Sequence, residues 1–210
     1  MHKQYPRLPK ISLSIKSRKN GLHDLIKKRS SFREFTGKPI TKNVLSEILY
    51  YSAGITRQNK IDEDKSFRAY PSAGAKYPLE IYPLILFSKE IVPGLYHYNP
   101  VNNNLDILNQ EVKKKETDLI WIKTQPWFKK AAVLLIITAT FHRTTDKYKN
   151  KGMVFPYIEA GHLVQNVYLT AGSVGLGCCA IGGLHEKQII QLLDINAREE
   201  YPIYYVALGS

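Results

Sequence analysis

The stretch Phe155-PYIEAGHLVQNVYLTAGSVGLGCCAIGG-Leu184 decides how the rest of the chain is read. Ala160, Leu163, Val164, Val167, Tyr168, Ala171 and Val174 recur at i, i+3, i+4 and i+7, the period of a helix with a buried face. Ala, Val and Gly on much of the opposite side predict a helix wrapped by other elements rather than one lying on the surface. Gly172, Gly175 and Gly177 end it, the run Cys178-Cys179-Ala180-Ile181 reads as a short buried strand, and Gly182-Gly183 follows. A bare double glycine suits backbone that must lie close against a flat ligand; a core helix with a tight turn after it would give the same pattern.

Working outward, 210 residues fit one domain with surface enough for a proper core. No apolar run is long enough to span a bilayer, Ala131–Ala139 being strand-sized. No hydrophobic segment follows the first charges, as a secretory signal requires. The two cysteines are sequence neighbours, a poor geometry for a bridge, so no disulfide framework is expected and a reducing, cytoplasmic setting is the default. The formal charge of +12 is uneven: residues 1–42 hold twelve Lys and Arg against Asp24 and Glu34, a net +10. Such an end suits nucleic acid, an acidic peptide or a phosphate-bearing cofactor. No zinc-finger spacing or RNA-binding aromatic signature accompanies it, so a nucleic-acid partner stays generic.

Residues 1–20, basic and dotted with Pro6 and Pro9, read as an extended arm, and residues 21–210 as the domain proper. Leu22, Leu25 and Ile26 start a short helix running into Lys27-Lys-Arg-Ser-Ser-Phe-Arg33, where two guanidiniums and two hydroxyls could surround a phosphate. Thr41 is a good N-cap for a helix carrying Val44, Leu45, Ile48 and Leu49, closed by Gly54. Asp62-Glu-Asp64 marks a solvated loop tip. In Arg68-AYPSAGAKYPL-Glu80, small residues between two prolines predict a rigid, low turn against which a ring could lie. Leu79–Phe87 reads as a strand, Gly94–Tyr98 and Leu105–Leu108 as a hairpin, 111–123 as an exposed helix, and Ala132–Ala139 as the central strand. Residues 141–154 read as a basic loop; a helix about Ile189–Leu193 and a strand over Ile203–Leu208 finish the chain. Hairpins and helices both join strands, so a mixed or antiparallel sheet with helices against it is expected.

Together, Arg29-SSF-Arg33 with Phe35, Tyr70-PSAG-Ala75 with Tyr77-PL-Glu80, Glu159-AG-His162 with Gln165-Asn166, and Gly175-L-Gly177 leading to Ile181-Gly-Gly183 resemble the FMN-dependent nitroreductase superfamily. Within it they resemble the SagB-type dehydrogenases, which oxidise azolines in ribosomally made peptides. The resemblance runs in family order from about Leu22 to Gly209. It implies an α+β, nitroreductase-like fold and an intertwined homodimer with two FMN molecules at the interface. Arg29, Ser31 and Arg33, with Ser30 beside them, would hold the FMN phosphate. Pro71, Ser72, Ala73, Gly74 and Ala75 would meet the isoalloxazine from the partner subunit. The amides of Gly182 and Gly183 would face flavin N5 and O4, and Gln165 and Asn166 would bond backbone near the cofactor or simply pack.

Azoline oxidation needs a base beside the flavin, and the resemblance assigns it to a Lys-Tyr pair, here Lys147-Tyr148, where burial would help the lysine lose its proton near neutral pH. Lys76-Tyr77 is a second such pair. His162 is expected as a core histidine. Cys178 and Cys179 are expected as small core residues with nothing cationic beside them. Two other functions share these residues: an NAD(P)H-dependent nitroreductase or quinone reductase, and a basic binding module without redox turnover. Azoline oxidation would bring a peptide substrate and a cyclodehydratase complex as partners, and the reductase a small-molecule substrate.

Overall fold

The computed structural model describes residues 3, 6–15, 20–59, 66–120, 125–183 and 185–210. Its centre is β6 (Val133–Ala139), whose seven residues are all buried. An apolar run can sit there because both neighbours pair with it antiparallel: β3 (Leu79–Ile85) on one side and β8 (Tyr201–Gly209) on the other. Ile137 thus lies opposite Ile81 and Tyr204. The hairpin of β4 (Gly94–Asn99) and β5 (Asn104–Asn109) extends the sheet beyond β3, and β7 (Gly177–Ile181) extends it beyond β8. The order is β5-β4-β3-β6-β8-β7, with every described pairing antiparallel. The strand read around Cys178 therefore stands at an edge. A separate pair, β1 (Ile55–Arg57) and β2 (Phe67–Arg68), flanks the loop whose acidic tip, Asp62–Asp64, lies outside the described residues.

Helices cover both faces. On one, α2 (Lys42–Ala53) packs with α5 (Phe155–Ser173), and Leu45, Ile48, Leu49, Leu163, Val164 and Val167 share a core with Ile81, Leu135 and Ile137. Thr41 Oγ1 accepts the Val44 N–H at 3.3 Å and the Gly54 N–H donates to Tyr50, so α2 starts and stops where its capping residues dictate. On the other face, Ile120 of α3 (Lys114–Ile120), Phe128 and the Ile189 and Leu193 pair of α6 (Glu186–Leu193) pack against Leu134, Ile136 and Tyr205. α1 (Gly21–Lys28) buries no residue, and the arm is exposed over residues 6–15.

Two expectations change. The basic stretch after β6 is not a loop but α4 (His142–Tyr148) followed by a 3-10 turn over Lys149–Met153. Buried Thr144 holds the two together by donating to the carbonyls of Phe141 at 3.0 Å and Gly152 at 2.8 Å. A Cβ on Gly152 would stand 2.7 Å from the Thr144 backbone, so only glycine permits this fold-back. Second, α5 is wrapped on one side only within a single chain: Tyr157, Ile158, Gly161, His162 and Gln165 are exposed. His162 is accordingly not a core residue.

Candidate active site

At the N-terminal end of α5 the chain lays down the turn Pro71–Lys76. Ser72 Oγ accepts the Tyr77 N–H at 2.8 Å, and the Ala73 N–H donates to Glu159 Oε1 at 3.0 Å. Gly74 (φ 62°) and Ala75 (φ 53°) take left-handed backbone, which draws the turn tight. Glu159, the only acid of α5, is 3% exposed, and its Oε2 finds no hydrogen-bond partner. Burial raises its carboxyl above the ordinary range; the Ala73 amide, the Ser72 hydroxyl and the charge of Arg68 offset this only in part. Beneath the turn, the Arg68 guanidinium lies 5.2 Å from the Tyr77 ring centroid and donates to the Leu79 carbonyl at 3.2 Å.

The Lys-Tyr pair of α4 reaches this turn. A Cβ built on Gly74 would stand 2.6 Å from the Tyr148 hydroxyl and 3.3 Å from Lys147 Nζ, so both groups occupy the space that a side chain there would take. Lys147 Nζ lies 5.2 Å from the centroid of the Tyr148 ring, within cation–π range. Lys147 itself is exposed, so the burial expected to ease its deprotonation is not supplied by this chain alone. One turn earlier on α4, Arg143 is fixed by Glu80 Oε1 at 2.6 Å and by the Tyr77 carbonyl at 3.0 Å. The other Glu80 oxygen meets His97 Nε2 at 2.9 Å. Arg143 and Lys147 border an open hollow of about 660 Å3 together with Gly74, Ala75, Lys76, His142 and Asp146. The second Lys-Tyr pair is divided: Lys76 faces the hollow, whereas Tyr77 is buried with its hydroxyl accepting the Arg68 N–H at 3.0 Å.

The early basic run sits toward the other end of α5. The Phe32 N–H donates to the Cys178 carbonyl at 2.9 Å, which docks the run on the edge of β7, and Gly177 is bare because the Phe32 ring fills its Cβ position. Tyr168 is the hub. Its hydroxyl bonds Ser31 Oγ at 3.0 Å and accepts the Ala180 N–H at 2.8 Å, while the Arg29 guanidinium lies 5.3 Å from its ring centroid. Arg33 leans instead on Trp127, 5.8 Å from that ring's centroid. Lys28, Arg29, Ser30 and Tyr168 line a hollow of about 410 Å3. Cations and a hydroxyl around such a space fit a phosphate.

The charge of Arg29 reaches Cys178 and that of Arg33 reaches Cys179, an influence not expected from the sequence. Burial outweighs both and pushes each thiol up, so neither is poised as a thiolate. Gly182 and Gly183 follow β7 with no described atom within 4 Å of where a Cβ would lie, leaving their backbone open to a ligand. Gln165 is exposed, while Asn166 Nδ2 donates to the backbone carbonyls of Ala69 at 3.3 Å and Ser52 at 3.5 Å. Sequence reasoning missed Glu159 and Tyr168 as site residues; an acid alone in an apolar helix was the signal for the first, and nothing local marked the second.

The chain therefore carries two polar clusters, one about Glu159 and one about Tyr168, about 14 Å apart along α5 at the usual 1.5 Å rise per residue. Among proteins of similar sequence, the provisionally named nitroreductase MJ1384 of Methanocaldococcus jannaschii is 37% identical over 189 residues, 90% of either chain. The microcin B17-processing protein McbC of Escherichia coli is 24% identical over 155 residues, 68% of this chain and 54% of McbC. The fold matches a chain of the E. coli microcin synthetase McbBCD complex, solved with truncated pro-MccB17 bound, with a TM-score of 0.73 at 18% identity over 99% of this chain and 78% of that one. The family model for nitroreductases spans residues 26–210, through the basic run, the small-residue turn, the Lys-Tyr helix and the terminal glycines alike, and the chain belongs to that family.

Proposed function

We propose that this nitroreductase-family oxidoreductase binds FMN between two copies of the chain and oxidises azoline rings in a peptide. The observation that carries this reading is the convergence of Lys147 Nζ and the Tyr148 hydroxyl on the bare position of Gly74. FMN, when bound, supplies a two-electron acceptor whose N5 takes a hydride. Arg29 and Ser30, which line the hollow beside Tyr168, would hold its phosphate, with Ser31 on the Tyr168 hydroxyl and Arg33 adding to the positive charge nearby. The turn Pro71–Ala75, clamped by Glu159, presents a flat wall for the ring system, and the open amides of Gly182 and Gly183 offer donors. Lys147, with Tyr148 to share or relay the charge, would take the proton from one ring carbon as the neighbouring ring carbon gives up a hydride, so a C=C bond forms and the ring loses two electrons and two hydrogens overall. The exposed start of α5 is the face that a second copy covers, and covering it also shields Lys147 from water.

The test has two parts. The purified protein should be yellow, with the absorbance band near about 450 nm expected of bound flavin. Lys147→Ala should keep that colour and lose oxidation of an azoline-containing peptide by about 100-fold or more, the usual worth of a positioned base. A variant with full activity would remove the lysine from the mechanism. A second reading, reduction of nitroaromatics or quinones by NAD(P)H, is favoured by the 37% identity to a relative bearing the nitroreductase name. Rapid NAD(P)H consumption with such acceptors and no azoline oxidation would decide for it. A colourless protein that takes up no FMN would leave only the basic binding module.

A further inference from the structure

The arm contains Ile11-Ser12-Leu13-Ser14-Ile15, a strict apolar–polar alternation that puts three large aliphatic side chains on one face of an extended segment. In the single chain these side chains are 91%, 91% and 93% exposed. A strand-patterned segment standing wholly in solvent lacks the sheet that its pattern anticipates.

The main sheet has two ends. At β7 the outer edge is already engaged by the Phe32 N–H on the Cys178 carbonyl and by the Tyr168 hydroxyl on the Ala180 N–H. At the other end β5 pairs only with β4 among the described residues, and five of its six residues are exposed. It carries neither lysine nor proline, the residues that commonly blunt an edge. Alongside it lies a hollow of about 450 Å3 floored by Leu45, Leu49, Tyr96 and Tyr98 and bordered by Leu105 and Ile107, the latter 63% exposed. Charge is complementary as well. Glu90, Asp106 and Glu111 stand near this edge against Lys42, the single cation among the described lining of the hollow, with Glu90 accepting the Lys42 backbone N–H and Asp106 facing His97; Arg7 and Lys10 precede the alternating segment.

We infer that Ile11–Ile15 adds as a further strand to β5 of a second copy of this chain, seating its aliphatic face over the hollow. A second copy is the occupant the fold favours: within its own chain the segment's aliphatic side chains stand in solvent, and α1 rests Leu25 against Gly172 at the β7 end of the sheet, opposite to β5. Two reciprocal additions give a closed, two-fold exchange of arms. This is independent of which substrate the site takes.

Hydrogen exchange followed by mass spectrometry on the full chain tests it. Amides of residues 104–109 should exchange about 10-fold or more slowly in the wild type than in the triple variant Ile11→Ser, Leu13→Ser, Ile15→Ser, with β6 unchanged. All three side chains are exposed within the chain, so the variant folds. A photo-crosslinker at position 13, in a mixture of isotope-labelled and unlabelled chains, should join labelled to unlabelled chains at β5 or the hollow. Unchanged exchange in β5, or crosslinks that fall within one chain or on the exposed face of α5, would overturn the inference.

Discussion

Glu159 shows how one side chain sets the shape of a site. Its Oε1 holds the Ala73 amide while its buried Oε2 goes without a partner, an arrangement better suited to a neutral carboxyl than to a charged one. Because burial raises its folded-state value, the stability linked to protonation is fully present below about 4.5, the ordinary carboxyl value, and is lost as pH rises through the raised one. Glu159→Gln keeps an acceptor for Ala73 without the charge and should flatten the pH dependence of thermal stability on the alkaline side. Glu159→Ala strands the amide and should cost about 1–2 kcal/mol at acidic pH and less as pH rises, read from urea midpoints. Should the Gln variant track the wild type at every pH, the carboxyl does not titrate in the folded chain. This residue was visible in the sequence as a lone acid in an apolar helix, but its contact was not, because Ala73 is brought to it only by the tertiary fold.

At the scale of elements, α4 is the informative case. His142–Tyr148 is polar throughout and shows no apolar period, so its sequence reads as a loop; it is helical because tertiary bonds hold it, Thr144 to the following turn and Arg143 to Glu80. By contrast, α5, α2 and β6 were legible, since each carries its burial pattern locally. The edge position of β7 was not, because strand order is set by pairings between distant segments. The Glu80 carboxyl sits in opposed influences: burial would raise it, but the hydrogen bond from His97 and the charges of Arg143 and Arg68 hold it below the usual range. His97 in turn is raised, first by its bond to Glu80 and then by Asp106. The Glu80 contribution is therefore present above about 4.5 and lost on acidification, and that of His97 is present below about 6.5 and lost as pH rises. The cluster is strongest between those values. A double-mutant cycle with Glu80→Gln and Arg143→Met should give a coupling of about 1 kcal/mol, modest because the arginine is partly solvated. In both variants α4, which carries Lys147, should lose its tie to β3, so on the proposed function turnover should fall further than stability does.

For the whole molecule, the exposed apolar start of α5 is the feature that a lone chain leaves unexplained. Met153, Val154, Tyr157 and Ile158, close together in sequence, are 47–56% exposed. An exposed apolar patch of this kind suits the contact between copies proposed above. On that proposal, Ile158→Asp should halve the mass found by light scattering and weaken FMN uptake, whereas a wild-type mass would move the interface elsewhere. No helix among the described residues is long and apolar enough to cross a membrane, so the patch is not part of a spanning segment.

β6, hemmed in by strands on both flanks and by a helical layer above and below, has a use for the experimenter. Its peptide hydrogens can meet deuterium only when the entire molecule comes apart, so their labelling rate is an internal clock for global opening. Against that clock, every local loosening at the turn, the arm or α4 can be timed within the same sample.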